Sequence, residues 1–384
     1  MKEKSLKDKR YDYILLIVTL LLVGTGIIAL FSASVPYAHV RYGDGYFFVK
    51  HQLKWLAMGI FFLWLASKFN YQKYKNLSLP LLFFTLILLV CVFIPGIGEK
   101  MGGASRWISL GNISFQPSDI AKITLVVYLS FSLVRKKERV ESFVNGFLPY
   151  FIIIGSVFFL ITIEPDLSSA LIVAIVSFIL LYAGRAKISH LIYALFLISV
   201  PLYFSISEVG YRKSRILGFL YPEKEPYGIS FQLRHLKISL GSGGLWGVGP
   251  GKGKEKLFYL PTPHTDSIFA VIGEEWGFIG TTFITALFFI LAWRGFSIAR
   301  KVPDGEGKLL SVGLTSLICV QAIINMGVAT AILPTTGVPL PFISYGGSSL
   351  IVSLTAVGIL LNISRRIYEN AGSGDKNKDK IKRD

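Results

Sequence analysis

The residue in this chain best suited to acid–base chemistry is Asp266. It lies in the segment 257–280, LFYLPTPHTDSIFAVIGEEWGFIG, where the longest polar loop leads back into an apolar run. Its neighbours are apolar or basic, so the carboxylate is partly desolvated near cations, the setting of a general base for a bound hydroxyl. The alternative is a helix N-cap, because Thr265 and Asp266 open the apolar run 267–272 and aspartate is a common capping residue. Spacing alone leaves both interpretations open.

The composition places the chain in a membrane before any further motif is considered. Of its 384 residues, 52% are hydrophobic and only 16% are charged, whereas soluble domains are about 25% charged. Runs near 20 apolar residues are long enough to cross a bilayer as helices. The sequence therefore predicts an all-α polytopic membrane protein with about ten transmembrane helices. The runs lie at about 12–34, 52–67, 77–95, 117–134, 146–163, 167–184, 188–206, 268–293, 309–333 and 346–363.

The lysines and arginines predict the orientation of these helices. They crowd the N-terminus, alternate connections and the C-terminal tail, while the short loops between hold few. We expect both termini to be cytoplasmic, with one long extracytoplasmic loop, 207–267, between helices 7 and 8. The chain is expected to form a single integral membrane domain, 1–368, followed by a disordered cytoplasmic tail, 369–384. The net charge of +17 is thus explained by topology, and no nucleic-acid surface is expected.

Several ionisable side chains interrupt the apolar runs. Each costs about 2.5–3.5 kcal/mol at the bilayer centre, so each needs a partner or a purpose. Asp119 and Lys122 share a helix face, and we interpret them either as a structural pair or, for Lys122, as a ligand for an anion. Glu164 and Asp166 flank Pro165 between helices 5 and 6, where they form either an ordinary turn or the wall of a cavity shared with Lys122.

The long loop carries nine basic and five acidic residues, which favours an anionic partner such as a phosphate group, with simple lipid adhesion as the alternative. Its glycine-rich part, 241–253, does not have the spacing of a nucleotide-binding loop, and we interpret it as turns whose backbone N–H groups face an anion. Glu274 and Glu275 follow in helix 8. Glu274 shares a helical stripe with Asp266, and one of the two glutamates is expected to pair with a basic group between helices.

The segment 332–350, ILPTTGVPLPFISYGGSSL, joins the last two predicted helices with three prolines and three glycines. Irregular backbone at membrane depth persists only where it is buried in protein or lines a cavity. We therefore expect a re-entrant lid or a wall of the site. The two cysteines, Cys91 and Cys319, lie inside apolar runs and are interpreted as packing residues.

Taken in order, these motifs resemble the SEDS family of polytopic membrane proteins, the FtsW, RodA and sporulation proteins that polymerise peptidoglycan from lipid II. The resemblance covers about 13–366. It is carried by 103–108 with 116–118, and by 164–167, 264–280 and 334–349.

Within the family, 256–261 and 334–337 look more like the division branch than the elongation branch. Ser267, Asp119 and the pair Thr262-Pro263 depart from the usual residues. These departures bear on the branch more than on the reaction.

The resemblance implies the ten-helix SEDS fold and a peptidoglycan glycosyltransferase acting in cell division or cell-shape maintenance. Asp266 matches the family's essential aspartate and would take the proton from the acceptor's 4-hydroxyl, with inversion at the donor's anomeric carbon. Lys122 and Arg106, or a divalent cation such as Mg²⁺ or Mn²⁺ near Asp266, would stabilise the pyrophosphate leaving group. The other predicted substrate-binding residues are Trp107, Gln116, Ser118, Glu164, Asp166, His264, Thr265, Ser344, Gly346 and Ser348.

The resemblance also implies a bacterial cytoplasmic membrane location, with the active site on the extracytoplasmic side. The expected partners are lipid II, a class B penicillin-binding protein and membrane proteins of the divisome or elongasome. The sequence has no K-T-G, and its one S-x-x-K match, 373–376, lies in the polar tail, so a serine transpeptidase must be a separate chain. Two other classes stay open: a transporter that flips the lipid-linked precursor, and a non-catalytic scaffold that recruits a transpeptidase.

Overall fold

The fold is a bundle of long apolar helices, described here from a computed structural model. The structure describes residues 11–101, 104–111, 113–136, 140, 142–207, 210–221, 229–257 and 259–381. The helices are α1 (Tyr13–Tyr42), α2 (Phe47–Lys68), α3 (Tyr74–Cys91), α4 (Pro117–Arg135), α5 (Leu148–Ile163), α6 (Leu167–Ala183), α7 (Ile188–Ser207), α8 (Gly210–Leu220), α9 (Ile229–Ser242), α10 (Ile268–Lys301), α11 (Gly305–Ala329) and α12 (Gly347–Ile381).

Seven stretches of helix among the described residues are long and apolar enough to cross a membrane. They are Tyr13–Tyr42, Tyr71–Cys91, Pro117–Arg135, Phe143–Ile163, Ile268–Lys301, Gly305–Ala329 and Gly347–Ile367. Two shorter apolar helices, α6 and α7, and the more polar α2 account for the remaining predicted runs. The chain is therefore a multi-pass membrane protein, and each of the ten predicted runs contains a helix. That all ten cross the bilayer, with both termini on the cytoplasmic side, stays a prediction.

Helix α4 lies at the centre of the bundle. It packs against α3, α6 and α11, and 83% of its apolar window is buried, whereas only 22% of the window of α3 is. Its first turn begins at Pro117. Proline suits the first position of a helix because an N–H group there would have no partner within the helix. α4 thus carries side chains from the core of the bundle towards both of its ends, and α3 forms an outer face.

The connection between α3 and α4 folds into a small antiparallel sheet that the sequence analysis did not predict. Strands β1 (Gly98–Met101), β2 (Ala104–Leu110) and β3 (Ile113–Phe115) are hydrogen-bonded in that order. Ile108 pairs with Phe115 and is buried. The sheet fixes β2 next to the start of α4 and so positions Arg106.

The loop 207–267 is more ordered than a long polar loop implies, because it contains α8 and α9. The backbone of α12 continues as helix to Ile381, and the disordered tail 369–384 stays a prediction. A helix that is already nucleated in a preceding span needs only to propagate, and the tail holds no proline to stop it.

Helix α10 is broken at Gly277, which has φ 67° and ψ −162°. A glycine-rich turn, 243–249, is inserted at the break. The N–H groups of Val248 and Gly249 donate to the carbonyls of Glu274 and Glu275, at 2.9 and 3.1 Å. The N–H groups of the next two α10 residues, 278 and 279, donate in turn to carbonyls of the turn.

The inserted turn thus replaces the helical hydrogen bonds lost at the break, which a membrane protein must satisfy within the chain. Close contact of two backbones explains the glycines, because a Cβ on Gly247 would lie 2.1 Å from the carbonyl oxygen of Glu275. The turns predicted for 241–253 are thus present, and the N–H groups of Val248 and Gly249 bind carbonyls of α10 and do not face an anion.

Candidate functional site

Asp266 lies just before α10, and its carboxylate is held by neutral donors. The hydroxyls of Thr262 and Thr265 donate to its Oδ1 at 2.9 and 3.2 Å. The N-cap of α10 is Ser267, so the capping interpretation of Asp266 is wrong, and so is its placement on one helical stripe with Glu274. Thr262 has a φ of 45°, a left-handed conformation that costs a β-branched residue about 1–3 kcal/mol. That conformation brings its hydroxyl back to Asp266.

Burial raises the pKa of Asp266, and this effect is opposed by the bonds from Thr262 and Thr265 and by the charge of Arg215. The side chain nevertheless keeps part of its surface accessible. A carboxylate with a raised pKa is a stronger base than a free one, and a neutral hydroxyl neighbour does not take its charge. The site therefore presents a basic oxygen towards a nearby cation.

The predicted wall 332–350 does lie against the Asp266 segment. The Ser344 hydroxyl donates to the carbonyl of Thr265 at 2.5 Å, and the Tyr345 N–H donates to the carbonyl of His264 at 2.9 Å. Asn325 of α11 donates to the carbonyl of Asp266 at 3.0 Å. Three backbone carbonyls in a row are thus fixed by other elements, so the carboxylate is aimed by the fold and not by a flexible loop.

His264 is packed among aromatic rings, with centroids 4.1 Å from Phe48, 5.2 Å from Tyr37 and 5.9 Å from Tyr345. Burial lowers the pKa of His264 to about 4, so its ring is neutral at physiological pH. The histidine therefore positions Asp266 through packing and carries no charge to a ligand.

Arg215 lines a cavity of about 160 Å³. It is bounded by the turn after α5 and the start of α6, by one face of α8, and by the stretch 334–336. Three arginines and one aspartate supply its charges: Arg106, Arg212, Arg215 and Asp166. A concave site with an excess of guanidinium groups is suited to phosphate oxygens.

Each arginine is oriented by backbone carbonyls. Arg106 donates to the carbonyls of Glu164 and Pro165, Arg212 to that of Thr162 at 2.8 Å, and Arg215 to that of Thr335 at 3.0 Å. A carbonyl fixes a guanidinium without neutralising it, and arginine cannot lose its proton in a protein. The cavity therefore has three protonated guanidinium groups and one aspartate in its lining.

Asp166 joins α4 to this cavity. Its Oδ2 accepts hydrogen bonds from Gln116 at 2.6 Å and from Ser118 at 3.4 Å, while its Oδ1 caps the N–H of Ser169. Asp166 caps α6, as one of the two interpretations predicted, and it also lines the cavity, but Lys122 does not share that cavity. Gln116 and Ser118 hold Asp166.

Glu164 differs sharply from Asp166. Its side chain is fully buried, and neither carboxylate oxygen has a hydrogen-bond partner in the described part of the chain. Burial, and then the charge of Asp166, raise the pKa of Glu164 to about 9, against the opposing charge of Arg106. Glu164 is accordingly a neutral acid at physiological pH.

Lys122 is separated from the cavity. Its Nζ lies 2.8 Å from Asp119, and both side chains are almost fully buried, at 3% and 7% exposure. The Ser348 hydroxyl donates to the other oxygen of Asp119 at 2.6 Å. This geometry is that of the structural pair among the two interpretations of Lys122, and it connects α4 to the start of α12.

Two further predicted residues lie elsewhere. Trp107 is opposite Glu99 in the sheet and does not line the cavity, and the N–H of Gly346 faces the side-chain oxygen of Gln52 at 3.4 Å. Among the described residues no group of three or more His, Cys, Asp or Glu side chains converges. The divalent cation stays a prediction.

Arg212, Arg215 and Thr262 were not predicted as site residues. Arg212 and Arg215 were counted only in the charge of the loop. Their spacing of three residues places them on one face of a helix, which is the signal that α8 would have given.

A protein-family model and several named relatives match most of this chain. A family model described as "Cell cycle protein", covering FtsW, RodA and SpoVE, matches residues 12–369. A probable peptidoglycan glycosyltransferase FtsW of Geobacter sulfurreducens is 42% identical over 94% of this chain and 96% of the relative. Stage V sporulation protein E of Bacillus subtilis is 39% identical over 92% of this chain and 97% of the relative.

Two solved structures share the fold. One, described as "Structural coordination of polymerization and crosslinking by a peptidoglycan synthase complex", has a TM-score of 0.78 at 28% identity and covers 94% of this chain and 99% of that chain. The rod shape determining protein RodA of Thermus thermophilus has a TM-score of 0.70 at 27% identity, over 93% and 98%. The helices and the site define a polytopic membrane protein with an arginine-lined cavity. The chain belongs to the FtsW/RodA/SpoVE family, so the predicted SEDS resemblance is confirmed.

Proposed function

We propose that this protein is a peptidoglycan glycosyltransferase that polymerises lipid II into glycan strands. The observation that carries the proposal is one carboxylate with a raised pKa, Asp266, which feels the charge of Arg215, one of three arginines that line a cavity. The names of the relatives that span nearly the whole chain support the same reaction.

The two halves of this site suit the two ends of the reaction. Asp266 takes the proton of the acceptor sugar's 4-hydroxyl as that oxygen attacks the donor's anomeric carbon. A new carbon–oxygen bond forms there, the bond to the lipid pyrophosphate breaks, and the pyrophosphate leaves with the electron pair. The anomeric centre inverts from α to β. A pyrophosphate is already a good leaving group, so one base and a group of cations suffice, unlike a hydrolase that needs two opposed carboxylates.

Arg106, Arg212 and Arg215 stabilise the charge that develops on the pyrophosphate. Fixed donors aimed at developing charge are worth more than mobile ones because they need no reorganisation during the step. This assignment replaces Lys122, which is neutralised by Asp119 in the core, with two arginines of α8. Glu164, as a neutral acid, leaves the positive charge of the cavity undiminished.

The same proposal includes an orientation. The site lies at the outer face of the bacterial cytoplasmic membrane, and both termini lie in the cytoplasm. The reason is that the basic residues outside 207–267 favour the cytoplasmic side for the termini and the connections that hold them. Division or cell-shape maintenance is the cellular process, in keeping with the named relatives.

A flippase and a passive scaffold are the competing functions, and one experiment separates the three. Purified protein is supplied with lipid II in detergent, where there are no leaflets to cross, and glycan strands are resolved by gel electrophoresis. We expect the purified wild-type protein to form polymer without a partner protein. A flippase or a scaffold gives no polymer, and a flippase instead moves fluorescent lipid II across proteoliposome bilayers.

The proposal extends to a partner that cross-links the strands. This chain has no transpeptidase motif, and one structural relative is described as a complex that coordinates polymerisation and crosslinking. We propose that a class B penicillin-binding protein associates with it among other divisome or elongasome proteins. Co-purification with division-type and elongation-type candidates, each tested for faster polymerisation, checks this. Absence of both binding and stimulation would contradict the partnership, and stimulation by the elongation type alone would contradict the division branch.

A further inference from the structure

A second basic cavity lies at the opposite end of α4 from the site. It has a volume of about 400 Å³ and is lined by the first turns of α3 and the last turns of α4. Since α4 runs from Pro117 to Arg135, the two ends of this helix are about 27 Å apart. The cavity is therefore independent of Asp266 and its arginines.

The charges of this cavity have the same sign. Lys75, Arg135 and Lys136 line it, and no carboxylate does. Lys75 is partly neutralised by Glu306 of α11, at 3.2 Å. Among the described residues no carboxylate forms an ion pair with Arg135 or Lys136.

The adjoining sequence does not cancel this charge. The stretch 135–141, RKKERVE, holds four basic and two acidic residues. Basic residues at the end of a helix are common because they face the negative pole of its dipole. That general effect explains why Arg135 and Lys136 occur there, but it does not explain a concave pocket with further polar groups.

Neutral polar groups complete the pocket. Asn76, Ser78 and Ser132 line it beside the cations, and the Ser132 hydroxyl contacts the Tyr150 hydroxyl at 3.1 Å on the inner side. A phosphate group takes charged donors on one side and hydroxyl or amide donors on another. The pocket provides the charged donors and the amide of Asn76, whereas the Ser78 hydroxyl already donates to the carbonyl of Lys75 at 2.9 Å.

The outer rim of the pocket is apolar and continues along α3. Leu79 lines the pocket and is exposed, and Phe83 and Ile87 follow at intervals of four residues with 59% of each side chain exposed. Residues four apart lie on one stripe of a helix. A charged pocket that opens onto an apolar stripe of a membrane helix matches a molecule with an anionic head and a hydrocarbon tail.

We propose that the cleft between α3 and α4 binds the phosphate headgroup of an anionic phospholipid, with one acyl chain lying along Leu79, Phe83 and Ile87. Arg135 and Lys136 contact the phosphodiester. Basic pockets between helices are recognised binding sites for such headgroups. The lipid ties the outer helix α3 to the central helix α4 at the end remote from the reaction.

The test measures lipid binding to the full-length protein by native mass spectrometry during titration with phosphatidylglycerol or phosphatidylcholine. The variant is Arg135→Gln with Lys136→Gln. Each basic residue near the membrane surface contributes about fivefold to the affinity, so we expect about 25-fold weaker phosphatidylglycerol binding. Phosphatidylcholine binding is expected to be weak for both proteins.

A matched control is Arg300→Gln with Lys301→Gln, which removes the same charge from the last turn of another helix, α10. This control is expected to bind phosphatidylglycerol like the wild type. Equal weakening in both double variants would overturn the site, because it would reflect general charge. Unchanged binding by the Arg135/Lys136 variant would also overturn it.

Two further arms identify the ligand class and protect against misfolding. Arg135→Lys with Lys136→Arg keeps the charges and should retain binding, so a loss there would overturn the charge argument. Inorganic phosphate that displaces the lipid at similar concentration would assign the cleft to a free anion. A polyglutamate peptide bound with the same dependence on both residues would assign it to a protein segment. Either result would overturn the phospholipid proposal.

Discussion

Two carboxylates within ten residues of each other are treated in opposite ways by this fold. Asp266 is held by two threonine hydroxyls, whereas Glu275 is held by the ammonium group of Lys256 at 2.5 Å, with Ser32 at 2.7 Å. Lys256 and Glu275 are 4% and 2% exposed. A charge held by neutral donors stays available to a ligand, while a charge neutralised by its opposite in the core serves the fold. Partners, more than burial, distinguish the reactive carboxylate from the structural one.

The largest expected effect is at Asp266. Asp266→Asn keeps the shape and removes the base, so polymerisation of lipid II should fall by about 10²–10⁴-fold, while abundance and thermal unfolding stay near wild type. Initial rates with purified protein check this. Because burial raises the pKa of Asp266, wild-type activity should be lost as the pH falls through that raised pKa. A polymerising Asn variant would contradict the assignment of the base.

The structural carboxylate should give the reverse result. Lys256→Met leaves Glu275 as an uncompensated buried charge, which costs about 3–5 kcal/mol of folding free energy. We expect a lower yield and a lower unfolding temperature in detergent. Adding Glu275→Gln to this variant should restore much of the loss, because no buried charge then remains. A Lys256→Met variant that is stable but inactive would mean that Lys256 and Glu275 serve the reaction, which would contradict their structural role.

A smaller effect is expected at the arginines that face the cavity. Arg215→Gln removes a charged donor worth about 1.5–3 kcal/mol, so kcat/KM for lipid II should fall by roughly 10- to 150-fold. Lys213→Gln is the matched control, since it removes the same charge from an exposed position on α8 outside the cavity. Equal effects of the two substitutions would show that only the general charge of the loop matters.

The smallest effect on the reaction is expected at Glu164, whose substitution changes the pH dependence of stability. Its pKa is raised to about 9 by burial, so the unfolded chain releases a proton above about pH 4.5 that the folded chain keeps, and stability is lost as the pH rises towards 9. Glu164→Gln removes this loss and should raise the unfolding temperature at pH 8 more than at pH 5. The same change at the exposed Glu99 is the control. A variant whose gain does not depend on pH would mean that Glu164 is ionised.

Local patterns predicted what depends on local sequence. Each of the ten apolar runs contains a helix, and the segment 332–350 lies against the Asp266 segment as the predicted wall. One of the two glutamates of α10 has the basic partner that was expected. Which glutamate it would be was not predictable, because Lys256 is brought to Glu275 by the fold of the loop and Ser32 comes from α1.

The arginine cavity was predictable only in part for the same reason. Arg106 comes from a strand, Arg212 and Arg215 from α8, and their anchoring carbonyls from three other segments. No spacing along the chain records that meeting. Lys122 was equally ambiguous from sequence, since a lysine three residues from an aspartate on a helix can face its partner or a ligand.

The break at Gly277 gives α10 a mechanical property that an unbroken helix lacks. It leaves a stem of nine residues, 268–276, about 13 Å long, between Asp266 and the rest of the helix. The turn 243–249, which continues directly from α9, is hydrogen-bonded to both sides of the break. A displacement of α9 is therefore transmitted to the stem through backbone hydrogen bonds. The long part of α10 anchors the helix in the membrane. The short stem positions the carboxylate of Asp266, and this stem is supported by the turn that follows α9.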